Sequence, residues 1–299
     1  MGAFLRHSSA QRTLRQLLAA PEPVLAPGAY DALSARLIEA AGFPAVYMTG
    51  FGTAAGRLGR PDVGLLGLTE MVDNARRIVE AVEVPVIADA DTGYGNPINV
   101  VRTVHEYERA GAAAIHLEDQ LAPKKCGHLE GKQLISCEEM VQKVRAAVAA
   151  RGSSDFLLIA RTDARAVEGL AAALDRARHY RDAGADVLFV EAPQSEDEIR
   201  EVARALADVP LLFNWAEGGK TPPIGYAELR ELGFRIIIFP ISTLLAATRA
   251  MQAVLGRIRA DGTPAGVLAD LPRFGEFVEF IGLPEIEALE GRFEVNAGH

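Results

Sequence analysis

The sequence predicts an α/β fold, a (β/α)8 barrel of the TIM type, from three observations. Eight short runs rich in Val, Ile and Leu recur, with helical periodicity between most of them. Glycines follow several helical segments shortly before the next strand, where a left-handed helix end is expected. Eight such units in about 240 residues match the usual size of this barrel. A doubly wound open sheet is less favoured, because no Gly-rich phosphate fingerprint follows the first strand.

The predicted strands are nearly continuous apolar runs, which is typical of a parallel sheet covered on both faces. They lie within 24–31, 45–50, 85–91, 114–119, 156–163, 186–192, 210–215 and 235–240. Clear helical periodicity covers 68–82 and 169–184. The glycines expected to end helices are Gly42, Gly111, Gly184 and Gly233. The sequence therefore predicts one barrel domain over 1–299, with the barrel at about 20–255.

The C-terminal part predicts further helices, with one at 243–260 and more within 274–293. These segments carry more apolar residues than a lone surface tail needs, so we expect oligomerisation helices at about 256–295. The densest apolar run, 236–241, is far shorter than the roughly 20 residues of a spanning helix. The first twelve residues lack an apolar signal core. The sequence thus predicts a cytoplasmic protein without membrane partners.

Composition narrows the partners. The chain has 31 Lys and Arg against 40 Asp and Glu, a net charge of −9, which argues against nucleic acid or an anionic membrane. The negative net charge does not exclude small anionic substrates, because Arg side chains, backbone amides or a divalent cation can make the local potential positive. The two cysteines, Cys126 and Cys137, cannot build a disulfide framework.

Charged and polar residues gather at the predicted carboxyl ends of the strands, where the active site of a barrel lies. Asp89 and Asp91 share one face by strand parity, with Ala88 and Ala90 on the other. Further strand ends carry Thr49, Gly50, Glu118, Arg161, Asp163, Glu191 and Asn214. Grouped carboxylates suit a hard cation, so Asp89, Asp91 and Glu118 are the candidate ligands of Mg²⁺, with Mn²⁺ as an alternative. His116 is expected to pack inside the barrel, one layer below Glu118.

The long loop after the fourth strand, 117–140, contains Cys126 among Lys124, Lys125 and His128. Basic neighbours lower a thiol pKa, so we expect a reactive thiolate or a proton donor on a mobile lid. Cys137 is expected to be structural. The Gly-rich loop 48–64 has amides that can hold a carboxylate or a phosphate.

Several motifs resemble the isocitrate lyase and phosphoenolpyruvate mutase superfamily. They are PGAYDALSARLIEAAGF (27–43), DADTGYG (89–95), HLEDQ (116–120), KKCGHLEGKQLIS (124–136), IARTDA (159–164), FVEAP (189–193) and EGGKTP (217–222). The resemblance covers nearly the whole chain. It implies a (β/α)8 barrel, Mg²⁺, and a small dicarboxylate or 2-oxo-acid substrate. It also implies a homotetramer whose C-terminal helix is exchanged between subunits.

The resemblance also assigns roles by position. Asp91 resembles the principal metal ligand, with Asp89 and Glu118 in the surrounding shell through water. Cys126 resembles a proton donor, and Asp62 a gating aspartate. The residues that resemble carboxylate-gripping or substrate-lining positions are Thr49, Gly50, Arg161, Gly127, His128, Glu191 and Asn214. Phe51 and Trp215 depart from the family pattern, and both are expected to narrow or reshape the pocket.

The resulting hypothesis is an Mg²⁺-dependent carbon–carbon lyase. It would cleave a substituted malate to a 2-oxo acid and a carboxylate, as in 2,3-dimethylmalate or 2-methylisocitrate lyases. The first alternative is a phosphonomutase similar to carboxyvinyl-carboxyphosphonate phosphorylmutase. The second is a barrel that has lost catalysis and acts as a binding protein. The full set of Asp89, Asp91, Glu118, Arg161 and Cys126 argues against the second.

Overall fold

The computed structural model describes residues 13–293. The predictions for the first twelve residues, and for 294–299, lie outside the described residues. Eight parallel strands form a closed barrel in the order of the chain, so the predicted (β/α)8 fold is confirmed. The strands are β1 (Val24–Ala29), β2 (Val46–Met48), β3 (Val86–Asp89), β4 (Ala114–Glu118), β5 (Leu157–Thr162), β6 (Val187–Val190), β7 (Leu211–Asn214) and β8 (Phe234–Phe239).

Helices connect the strands and continue beyond the last one. They are α1 (Leu14–Ala19), α2 (Ala32–Ala40), α3 (Gly50–Leu58), α4 (Leu68–Ala81), α5 (Pro97–Arg109), α6 (Cys137–Ala150), α7 (Ala164–Val167), α8 (Leu170–Asp182), α9 (Glu196–Ala205), α10 (Tyr226–Glu231), α11 (Ser242–Asp261), α12 (Phe274–Phe280) and α13 (Leu283–Arg292). A 3₁₀ helix, Ala265–Asp270, lies between α11 and α12. None of the helices within 13–293 is long and apolar enough to cross a membrane.

The barrel separates two apolar layers by strand parity. Ala88 and Ala90 join the layer between the strands and the helices, whereas Ile87 joins the cluster inside the barrel. Leu14 and Leu17 of α1 belong to the inner cluster, so this helix covers the amino ends of the strands. The polar side chains collect at the opposite, carboxyl ends of the strands.

Local sequence explains where the helices end. Gly42, Gly111, Gly184 and Gly233 all have positive φ, between 85° and 107°, and each lies two residues after the end of a helix. This confirms their predicted role, because glycine adopts the left-handed region without a Cβ penalty. The chain can therefore turn sharply from each helix into the next strand.

The described chain divides into two compact units, with the boundary between Leu244 and Leu245. The predicted barrel limit near residue 255 lies inside α11. The unit from Leu245 onward contains most of α11, the 3₁₀ helix, α12 and α13. Large apolar side chains are exposed in it, including Phe274 at 82% and Leu255 at 63%.

Candidate active site

A cavity of about 180 Å³ opens at the carboxyl ends of the strands. The predicted site residues that line it are Thr49, Phe51, Asp62, Asp89, Cys126, Gly127, His128, Arg161, Glu191 and Asn214. Gly50, Asp91 and Glu118 contact members of this lining through Asp89, Lys124 and Arg161. The structure therefore brings all of the predicted site residues to one end of the barrel.

The start of α3 forms one wall of the cavity. Thr49 caps the helix by accepting a hydrogen bond from the Gly52 amide at 3.1 Å. The Gly50 amide donates to Asp89 Oδ2 at 3.2 Å. A Cβ on Gly50 would lie 2.3 Å from that oxygen, so only glycine allows this approach. The helix therefore presents its amino end, with its partial positive charge, to the cavity.

An acidic cluster lies next to this wall. Asp91 has a left-handed backbone, with φ at 48°, and its amide donates to Asp89 Oδ1 at 2.9 Å. Lys124 Nζ lies 2.8 Å from Asp91 Oδ1 and 2.5 Å from Asp62 Oδ2. Burial raises the pKa of Asp91 to about 7, against the opposing effect of Lys124. An excess of negative charge is thus held out of water and partly balanced by one ammonium group.

Glu118 at the end of β4 carries an unsatisfied oxygen. Glu118 Oε2 lies 3.3 Å from Arg161 Nε, whereas the buried Oε1 has no hydrogen-bond partner among the described residues. Burial raises the pKa of Glu118 well above its usual value. In residues 13–293 no three His, Cys, Asp or Glu side chains already stand as a ligand set. The oxygen donors of Asp89, Asp91 and Glu118 nevertheless fit Mg²⁺ chemically, because it takes a few carboxylates and keeps water.

Arg161 at the end of β5 is held in a fixed orientation by carboxylates. Its Nε and Nη2 donate to Asp163 at 2.9 and 3.1 Å, and its Nη1 lies 3.1 Å from Glu191 Oε2. The guanidinium carbon stacks 5.1 Å from the ring centre of Phe189. Burial raises the pKa of Glu191, but Arg161, His128 and Lys132 together outweigh burial and hold this pKa far below its usual range. Glu191 is therefore an anion that orients its neighbours.

Asn214 and His128 complete this side of the cavity around Glu191. Asn214 Nδ2 donates to both carboxylate oxygens of Glu191, at 3.2 and 3.3 Å. His128 Nε2 lies 3.3 Å from Glu191 Oε1, and His128 Nδ1 accepts from the Lys220 amide at 3.1 Å. Two loops, after β4 and after β7, are thereby joined across the mouth of the barrel.

His116 lies inside the barrel, as predicted. It is fully buried, and its Nε2 is 2.8 Å from the Tyr47 hydroxyl and 3.4 Å from Asp89 Oδ1. Burial lowers the pKa of His116 to about 4, so the ring is neutral near pH 7. His116 therefore lies below Asp89 as a neutral ring that is hydrogen-bonded to Tyr47.

The expected low pKa of Cys126 is wrong. Burial raises the pKa of this thiol to about 11, although the His128 amide acts in the opposite direction. The basic neighbours are engaged elsewhere: Lys124 pairs with Asp62 and Asp91, and Lys125 Nζ donates to Glu130 O at 3.3 Å. Cys126 is consequently a protonated thiol near neutral pH, which leaves the proton-donor alternative.

The expected effect of Trp215 on this cavity is also wrong. Asn214 points into the cavity, so the next residue along the strand points away from it. Trp215 Nε1 donates to Ile224 O at 3.0 Å, and its ring packs against Phe239. It lines a separate cavity of about 210 Å³ with Phe213 and Thr221. Phe51, by contrast, does line the main cavity.

Three buried residues of the site were given no site role from the sequence, although Asp163 was placed among the polar strand ends. Lys124 neutralises the acidic cluster, Asp163 orients Arg161, and Lys132 Nζ bonds Gly127 O while lying 3.4 Å from Asp163 Oδ1. Asp163 shares a strand face with Arg161, which was a usable signal. Lys124 and Lys132 gave no such signal, because their carboxylate partners Asp62, Asp91 and Asp163 are distant in sequence.

Gly127 gives a direct test of this arrangement. A Cβ there would lie 2.5 Å from Arg161 Nη2 and 2.6 Å from Glu191 Cγ. We expect Gly127→Ala to lower kcat/KM by about 10²-fold, because the loop and Arg161 must separate. Gly56→Ala in α3 is the matched control, since its added methyl would meet only Tyr30 at 3.6 Å. Equal kinetics for Gly127→Ala and wild type would contradict the close approach.

The closed barrel, with a charged cavity at the carboxyl ends of its strands, has the arrangement of a barrel enzyme. The chain belongs to the phosphoenolpyruvate phosphomutase family, to which residues 14–259 match, within the phosphoenolpyruvate mutase and isocitrate lyase superfamily. 2,3-Dimethylmalate lyase of Eubacterium barkeri is 49% identical over 280 residues, 94% of this chain and 96% of that protein. 2-Methylisocitrate lyase of Aeropyrum pernix is 48% identical over 288 residues, covering 95% and 92%. The predicted superfamily is confirmed.

Solved structures agree with this assignment. A crystal structure of 2,3-dimethylmalate lyase aligns with a TM-score of 0.88 and 45% identity over 93% of each chain. Oxaloacetate acetylhydrolase bound to 3,3-difluorooxalacetate aligns at 0.89 and 43%, covering 95% and 97%. Phosphonopyruvate hydrolase with oxalate and Mg²⁺ aligns at 0.86 and 34%, covering 94% and 97%. The superfamily therefore includes members that bind Mg²⁺ together with a small dicarboxylate.

Proposed function

We propose that this protein is a carbon–carbon lyase that cleaves a substituted malate into a 2-oxo acid and a carboxylate. One observation carries the proposal: Cys126 lines the same cavity as Arg161 and stays protonated, with its pKa raised to about 11 by burial. Cleavage of a carbon–carbon bond leaves a carbanion that needs a proton. A neutral thiol beside a carboxylate-binding group meets that need.

Substrate binding uses the two positively polarised walls of the cavity. The guanidinium of Arg161 and the amino end of α3, at Thr49 and Gly50, suit the carboxylate of the 2-oxo-acid portion. Asn214 and His128 surround Glu191, which lies beside Arg161. These fixed groups orient the bond that breaks and lower the entropic part of the barrier.

The acidic cluster suits a divalent cation. Asp91 would hold Mg²⁺, with Asp89 and the unpaired Oε1 of Glu118 in the surrounding shell. When bound, the metal would supply the positive charge that lowers the pKa of a substrate hydroxyl. Asp62, bonded to Lys124, would act as the gating aspartate that ties the loop after α3 to the lid.

The chemical step follows from these positions. The substrate 2-hydroxyl would give its proton to a carboxylate of the acidic cluster, which later releases it to water. The C2–C3 bond breaks, and C2 becomes a carbonyl carbon. The electron pair stays on C3, next to its carboxylate. Cys126 protonates that carbon, and the thiol regains a proton when the products leave.

A substrate panel tests the proposed function. Purified protein with Mg²⁺ is given 2,3-dimethylmalate, 2-methylisocitrate, oxaloacetate and a carboxyphosphonate ester, and the products of each are identified by NMR. We expect cleavage of at least one alkylated malate. Conversion of the phosphonate alone would instead support the phosphonomutase alternative, and hydrolysis of oxaloacetate alone would support a hydrolase.

We further propose a homotetramer assembled by exchange of the C-terminal helices. The unit from Leu245 onward exposes Phe274, Phe277, Ile281 and Leu283 to between 38% and 82%. Exposed apolar groups at this density usually mark an interface between subunits. We propose that a second copy of the chain buries these side chains in the assembly.

Sedimentation velocity at micromolar concentration tests the assembly. The wild type should sediment as a tetramer, and Phe274→Glu should shift it to smaller species because a carboxylate opposes burial. Leu37→Glu, at a 54% exposed position on α2, is the matched control and should leave the assembly intact. A monomeric wild type would contradict the proposal.

A further inference from the structure

Gln120 lies two residues beyond β4, at the base of the loop that carries Cys126. The residue is 1% exposed. Its Nε2 donates to Lys125 O at 2.8 Å, and its Oε1 accepts from Lys125 N at 2.9 Å. The side-chain amide thus pairs with both backbone groups of one residue, Lys125, as a neighbouring strand would. Because the Lys125 amide can only donate, the orientation of the Gln120 amide is fixed.

The backbone of Gln120 is held as firmly as its side chain. It forms an antiparallel bridge with Leu134 on the returning limb of the loop. Next to that bridge, Leu121 N donates to Gln133 O at 2.8 Å, and Ile135 N donates to Asp119 O at 3.0 Å. Gln120 therefore connects the rigid end of a barrel strand to the loop segment immediately before Cys126.

The contacts of Lys125 matter because Cys126 is the next residue. The Cys126 amide donates to Asp62 O at 3.1 Å, and Leu129 N donates to Cys126 O at 2.8 Å. Gln120 holds the backbone of Lys125, and these two hydrogen bonds hold the backbone of Cys126. Together they determine where the thiol lies in the cavity. A buried primary amide is costly unless its hydrogen bonds are made, and here both go to this one residue of the loop.

We propose that Gln120 is a positioning residue that holds the thiol of Cys126 at the reacting carbon. The inference rests on the proposed function, in which that thiol is the proton donor. Gln120 does not line the cavity, so it acts through Lys125 and touches no substrate. Its loss displaces the donor while leaving Arg161 and the start of α3 in place.

The test combines kinetics with the reactivity of the thiol. Gln120→Ala removes both hydrogen bonds, and Gln120→Glu keeps the size and the acceptor but loses the donor to Lys125 O. Gln133→Ala is the matched control, since Gln133 is an exposed glutamine in the same loop. For each protein, kcat and KM are measured, and alkylation of Cys126 by iodoacetamide is followed by mass spectrometry. Cys137, partly buried on α6, is the reference thiol within the same molecule.

We expect Gln120→Ala to lower kcat by about 10²-fold with KM nearly unchanged, because a donor displaced by about 1 Å has that effect. Alkylation of Cys126 should rise several-fold relative to Cys137, since a loosened loop exposes the thiol to water. Gln120→Glu should change both quantities in the same direction, and Gln133→Ala should change neither.

Two results would overturn the inference. One is a folded Gln120→Ala or Gln120→Glu protein with wild-type kcat and wild-type alkylation of Cys126. The other is equal acceleration of alkylation at Cys126 and Cys137, which indicates general destabilisation. If the wild type cleaves no malate, the proposed function fails, and the ratio of the two alkylation rates still decides whether Gln120 positions the thiol.

Discussion

Replacing Cys126 with alanine will lower the rate of carbon–carbon cleavage by about 10²–10⁴-fold, the contribution of a positioned general acid. Substrate affinity will change little, because Arg161 and the start of α3 hold the carboxylate without the thiol. Cys126→Ser will also be slow, since a hydroxyl is a much weaker acid than a thiol. Single-turnover cleavage with enzyme in excess separates this chemical step from product release.

Cys137→Ala is the matched control for that experiment. Cys137 is the first residue of α6 and packs against the outer apolar layer. Its replacement should leave the cleavage rate within about 2-fold, since no reacting group is removed. A Cys126→Ala enzyme that cleaves at nearly the wild-type rate would show that the proton comes from another group. If the protein is a phosphonomutase, Cys126→Ala should keep more of the wild-type rate than it would in a lyase, because phosphorus transfer needs no proton on carbon.

Removing divalent cations will abolish turnover. We expect EDTA to lower kcat by at least about 100-fold, because several kcal/mol of charge stabilisation would be lost. Mg²⁺ or Mn²⁺ should restore it. Full activity in metal-free protein would contradict the proposed role of the acidic cluster.

Direct measurement of Mg²⁺ binding separates the carboxylates of this cluster. By calorimetry, Asp91→Ala should weaken binding more than Asp89→Ala, because Asp91 is assigned the direct bond. Asp62→Ala is the matched control: like Asp91, it removes a partner of Lys124, but it is not among the assigned ligands. Equal loss of Mg²⁺ binding in Asp62→Ala and Asp91→Ala would point to Lys124 as the cause.

The barrel could be predicted from local sequence alone. Seven of the eight strands lie within a predicted apolar run, and β8 begins one residue before its run. Four glycines end helices with the expected positive φ. Parity correctly separated Asp89 and Asp91 from Ala88 and Ala90, because that rule depends only on the strand to which a residue belongs. The same rule, applied to Asn214, would have directed Trp215 away from the cavity.

The electrostatics of the lid could not be predicted in this way. Lys124 and Cys126 are close in sequence, yet Lys124 pairs with Asp62 and Asp91 from other parts of the barrel. Burial then raises the pKa of the thiol, although its basic neighbours in the sequence suggest the reverse. Charge pairing in a barrel is set by which strand ends meet, and sequence spacing does not contain that information.

Cleavage of 2,3-dimethylmalate in D₂O tests the central claim most directly. The products would be pyruvate and propionate, and the propionate carries the carbon that Cys126 protonates. The account predicts propionate with a single carbon-bound deuterium at C2, in one stereochemical position with the wild type, and a large loss of its rate of formation in Cys126→Ala. Racemic labelling by the wild type, or the absence of propionate while a phosphonate substrate is converted, would contradict it.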